Sequence, residues 1–143
     1  MSRPIWTLLA IPLLAATASA QFDDFTWSFA GDPSGSYSIE SEQLHIVGPA
    51  NEACTTNDIF AHVTTTASQS GTVLAHFFFD NQDVGFGWWT AEDPAYLLDG
   101  AVHVVGPGDI YSTWEGDVAF HVNAGQSFGF GVQSIDCFFG PGV

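Results

Sequence analysis

Residues 116–140 read GDVAFHVNAGQSFGFGVQSIDCFFG, and the rest of the chain is best interpreted outward from them. Val118, Phe120 and Val122 alternate with Asp117, Ala119, His121 and Asn123, the period of two that marks a half-buried strand. Asn123-Ala124-Gly125 is a turn signal, after which Phe128, Phe130 and Val132 resume the alternation. The pattern predicts a β-hairpin whose second strand runs into Cys137, one of two cysteines in the chain.

Upstream, the same period recurs. Phe25-Thr26-Trp27-Ser28-Phe29 reads as a first strand, followed by a turn cluster over residues 31–36. Residues 44–47 (LHIV) form a short strand ended by Gly48-Pro49, and a polar loop then carries Cys54. Ile59 to Thr66 alternates and is rich in β-branched residues. Residues 71–79 (GTVLAHFFF) are apolar on both faces, as in a central strand sandwiched between layers. Residues 84–90 are rich in Gly and aromatics. Ala95 to Leu98 leads to an Asp99-Gly100 turn, and Ala101 to Val105 predicts a further strand, closed by residues 106–109. No stretch carries a capped stripe of period 3.6. Strands at this spacing predict an all-β fold, an antiparallel β-sandwich or jelly roll, as one domain over residues 21–143. At the end, residues 138–143 (FFGPGV) read as a turn and the first residue of another strand, so either the sequence is a fragment or the sandwich does without a final C-terminal strand, which would leave an unpaired edge.

The first twenty residues predict an address rather than structure. Arg3 supplies a positive start, Ile5 to Ala16 an apolar run shorter than the ~20 residues of a membrane span, and Ala18-Ser19-Ala20 a cleavage site. A signal peptide over residues 1–20 implies a secreted, extracellular or cell-surface protein beginning at Gln21, with no membrane insertion after cleavage. Its removal takes away Arg3, the only Lys or Arg, and moves the formal charge from −15 to −16. That balance excludes nucleic acid and anionic membranes as partners, because phosphate recognition rests on Lys and Arg. Cations and neutral polar ligands such as sugars stay open. An exported chain with an even cysteine count predicts a disulfide between Cys54 and Cys137.

Three stretches also resemble a known group. Ser70–Val73 (SGTV), the aromatic run Phe77–Asp80 and the segment from Ala124 to Gly142 (AGQSFGFGVQSIDCFFGPG) are similar to bacterial secreted CUB-like β-sandwich modules found in exported and surface proteins. The resemblance spans residues 25–143 and is most specific in its last third. It implies a disulfide-bearing antiparallel sandwich and carries over no catalytic residue. Such modules continue past GPG into a last strand, and this sequence stops there.

Candidate sites follow from residue chemistry. Asp80, Asn81 and Asp83, with Glu92-Asp93 further on, offer the oxygen ligands that calcium takes, without the spacing of an EF-hand. The competing role for Asp80 and Asp83 is to bond their own backbone in a turn. Trp88, Trp89 and Trp114, with Tyr96 and Tyr111, could form an aromatic platform for a sugar ring, against the commoner role of aromatics in cores. Adjacent Trp88 and Trp89 on a strand would point to opposite faces. His45, His62, His76, His103 and His121 all fall in strand-like runs without metal-ligand spacing. Neither a G-x-S-x-G elbow nor any other catalytic motif is present, and among 16 acidic residues no carboxylate pair stands out. The sequence therefore points to a non-catalytic secreted module for binding or adhesion, its partner a glycan or a cell-surface or matrix protein, with calcium as the one cofactor suggested. The alternatives are a structural surface or filament subunit and a small secreted hydrolase.

Overall fold

The computed structural model describes residues 21–31, 33, 35–40, 42–48, 59–80, 92–105 and 113–134. The expected signal peptide, both cysteines, Asn81, Asp83, Trp88, Trp89, the Gly- and aromatic-rich residues 84–90, the turn at 106–109 and the C-terminal residues 138–143 lie outside them. The described residues form an all-β, antiparallel sandwich. A single turn of 3₁₀ helix (Phe22–Asp24) precedes β1 (Ser28–Gly31), β2 (Ser36–Glu40), β3 (Gln43–Val47), β4 (Ile59–Thr66) and β5 (Gly71–Asp80). Then come β6 (Glu92–Leu98), β7 (Ala101–Val104), β8 (Thr113–Val122) and β9 (Ser127–Ser134). One layer is a five-stranded sheet in the order β1-β4-β9-β6-β7, and the β2–β3 and β5–β8 pairs face it.

β8 and β9 do not form the expected hairpin. β8 pairs with β5, whereas β9 lies between β4 and β6. Alternation on both sides of a Gly-containing turn cannot distinguish a hairpin from a connection that changes layers, and here it changes layers. The register explains how. Thr66 stands opposite Ser127 and Gly71 opposite Val122, so both chains advance five residues through the corner without insertion or deletion. β4–β5 and β8–β9 are therefore one long two-stranded ribbon folded over, half in each layer. Its bend is held by hydrogen bonds across the corner. Ala67 N–H donates to Gln126 O at 2.9 Å, and Gly125 N–H donates to Ala67 O at 2.8 Å. Ser70 Oγ accepts the Ala124 N–H at 2.9 Å.

The Asp99-Gly100 turn behaves as the dipeptide predicts. Both residues have positive φ (50° and 81°), the conformation a two-residue hairpin turn needs, and β6 pairs with β7 across it. The Asp99 carboxylate also reaches the corner, accepting the Ser127 N–H at 3.1 Å and the Gln126 side-chain amide at 2.8 Å. β2 is a strand that the alternation does not predict. SYSIE has only Tyr37 and Ile39 as apolar residues, and its partner β3 supplies the pairing that fixes it.

Between the layers lies an aromatic core. Trp27, Val63, Ala67, Phe120, Val122 and Phe128 are buried together. The Trp27 indole N–H donates to Phe22 O at 2.7 Å, which removes the cost of burying that donor. Tyr96 of the large sheet stacks on Phe120 of the facing ribbon at 4.4 Å, 7° from parallel, and its other face meets His103 at 4.6 Å. Burying each large apolar side chain contributes about 1.5–3 kcal/mol, so this cluster outweighs any single pairing on the surface.

Candidate functional site

The folded ribbon sorts β5 and β8 by parity. Val73, Phe79, Val118, Phe120 and Val122 turn toward the core. The other set, Thr72, Leu74, His76 and Phe78 with Glu115, Asp117, Ala119 and His121, faces solvent. β5 thus differs from the expected strand covered on both sides. It belongs to an outer layer with one face on the core, and its second apolar row is open. Leu74 is 77% exposed and Phe78 64%, the two most exposed large hydrophobic residues among those described.

The register places these side chains against specific neighbours. Leu74 stands opposite Ala119, His76 opposite Asp117, and Phe78 opposite Glu115. The His76 Nδ1–H donates to Asp117 Oδ1 at 2.9 Å, which orients the imidazole and leaves Nε2 to solvent. With both side chains well exposed (62% and 87%), such a pair contributes about 0–1 kcal/mol to stability. A shallow hollow at the centre is lined by Leu74, Ala75, His76, Asp117, Val118 and Ala119. Among the described residues, that lining offers an imidazole and a carboxylate. The described residues of this face present two apolar side chains, one oriented imidazole and flanking carboxylates.

The sequence-predicted candidates fall elsewhere. Asp80 ends β5 opposite Thr113, so the described member of the calcium trio sits at the far end of the same ribbon. Among the described residues no group of three or more His, Cys, Asp or Glu is arranged to hold a metal ion. Trp114 is half-buried on the inward parity, its ring edge against Phe77 at 4.8 Å. Of the histidines, His45, His76, His103 and His121 are exposed. His62 differs. It stacks on Phe60 at 4.6 Å, its Nδ1 is buried with no hydrogen-bond partner among the described residues, and burial lowers its pKa below 6.5. Across from it is Gly131, where a Cβ would come within 2.7 Å of Phe60 Cζ, so glycine is what lets the Phe60 and His62 rings lie over β9.

Sequence reading missed Leu74, His76, Phe78 and Asp117 as a site. The available signal was His76 between Leu74 and Phe78 on one parity, while the other parity of β5 is free of titratable groups. No protein-family model, curated protein or solved structure matches the chain. No helix among the described residues is long and apolar enough to cross a membrane.

Proposed function

We propose that this chain is a non-catalytic extracellular module for binding or adhesion, exported by residues 1–20, and that the outer face of β5–β8 meets its partner. The observation that carries this reading is the open row Leu74, His76 and Phe78, with Asp117 fixed across from His76. Two large apolar side chains held in water four positions apart on one face add nothing to the core and suit a contact surface. A glycan or a surface protein fits such a face, Phe78 supplying an apolar plane and Asp117 and Glu115 hydrogen-bond acceptors. The resemblance to secreted CUB-like sandwiches and a Cys54–Cys137 disulfide belong to the same reading.

The test is a parallel screen of wild type and the double variant Leu74→Ser, Phe78→Ser against a glycan array and a panel of surface and matrix proteins. At least one ligand is expected whose signal the double variant loses. If every ligand bound by wild type is bound equally by the variant, the contact surface is elsewhere.

A further inference from the structure

Resting on that reading, we infer that the partner of the β5–β8 outer face is a basic polypeptide segment, with Lys or Arg flanking apolar side chains. Leu74 and Phe78 are four positions apart on one side of one strand, about 13 Å at the usual rise per residue. Each has a defined surrounding: His76 with Asp117 between them, and Glu115 directly across from Phe78. The apolar contacts are thus bordered by carboxylates at fixed positions.

Those carboxylates have little internal compensation. After Arg3 the sequence contains no Lys or Arg, so no fixed cation of residues 4–143 can neutralise Asp117 or Glu115. Asp117 is paired with the His76 imidazole, and 87% of its side chain remains exposed. A contact that covers Leu74 and Phe78 must also partly desolvate the flanking acids. That is favourable only if the incoming surface brings cations to them.

A second copy of this chain fits poorly. A twofold contact through this face would bring two carboxylate-bearing faces together without a Lys or Arg on either side, between two chains of formal charge −15 each. A neutral glycan could accept the carboxylates as hydrogen-bond partners but would leave their charge uncompensated. A polypeptide with alternating apolar and basic side chains satisfies both parts of the face, and a strand's two-residue period matches the spacing of Leu74, His76 and Phe78.

The test uses the full chain at about 0.15 M salt, where long-range attraction is screened. The probes are peptides of about ten residues: Lys and Thr with Leu at two positions four apart, the same peptide with Ser for Leu, and the same with Glu for Lys. The Leu–Lys peptide is expected to bind about tenfold more tightly than either counterpart, a difference of about 1.4 kcal/mol. Leu74→Ser, Phe78→Ser should abolish its advantage over the Ser–Lys peptide. Glu115→Gln, Asp117→Asn should weaken it severalfold. Equal binding of the Leu–Lys and Ser–Lys peptides, or indifference to both double variants, would reduce the effect to general attraction by an acidic protein and overturn the inference. A dimer in sedimentation that Leu74→Ser, Phe78→Ser dissociates would make the occupant a second copy and also overturn it. A glycan ligand lost in that variant, with no peptide binding, would overturn the basic partner while sustaining the binding face. Loss of neither would remove both.

Discussion

Gly31 ends β1 with φ at +116°, and a Cβ there would overlap the carbonyl oxygen of Phe60 on the paired strand. Both the dihedral and the space exclude a side chain. Gly31→Ala is expected to destabilise by about 1–3 kcal/mol through backbone strain, read as a lower denaturation midpoint in urea. An unchanged midpoint would show that the β1–β4 edge adapts freely. His62 gives a pH test. Burial disfavours its charged form, so the folded chain holds that proton less well than the unfolded chain. The depressed pKa makes its stabilising contribution complete above the unfolded value of 6.5 and progressively lost as pH falls toward the lower folded value. The facing residues Ala30 and Gly131 bring no charge to offset this. His62→Gln should therefore lose less stability than wild type between about pH 7 and about pH 5 in urea titrations. Parallel curves would mean that His62 is freely protonated in the folded chain.

The β4–β5 and β8–β9 ribbon is the element that organises the sandwich, and its corner is tied to the β6–β7 turn through Asp99. That carboxylate satisfies the Ser127 N–H and the Gln126 amide, while Asp99 itself occupies positive φ. Asp99→Ala should cost about 1–2 kcal/mol, from the lost acceptor and the less tolerated backbone conformation. Asp99→Asn, which keeps an oxygen acceptor and the turn preference, should cost less. Equal losses in the two variants would assign the whole effect to charge. Much of this element was legible. The boundaries of β4 and β5, the Asp99-Gly100 turn and the alternation of β8 and β9 all follow from local periodicity and turn chemistry. What periodicity could not supply was pairing, because the same Asn123–Gln126 connection suits a hairpin or a change of layer. The hydrogen bonds that decide it come from Ala67 and Ser70, more than fifty residues away. β2 escapes for a related reason, since Tyr37 and Ile39 alone give too short an alternation.

Across the molecule, two properties coexist: a formal charge of −15 with one Arg, and an aromatic core closed between two layers. Charge of one sign destabilises the compact state, so raising salt from about 0.01 M to about 1 M should raise the melting temperature. Calcium chloride and sodium chloride at equal ionic strength separate screening from a cation site: a rise shared by both is screening, and an additional rise in calcium is a site. The candidate face was hidden in the sequence by the same apolar content that revealed the strand. GTVLAHFFF reads as buried on both sides, and the layer that would cover Leu74 and Phe78 could not be counted from local pattern. The most direct test of an open contact face on β5–β8 is thermal unfolding of Leu74→Ser, Phe78→Ser beside Phe120→Ala. If the face is open, the outer pair leaves the melting temperature within the range of ordinary surface changes, about 0.5 kcal/mol, while Phe120→Ala lowers it by the equivalent of about 3–5 kcal/mol. A large loss in the outer-face variant would mean that Leu74 and Phe78 are packed in the folded protein, and the contact surface proposed for them would not exist.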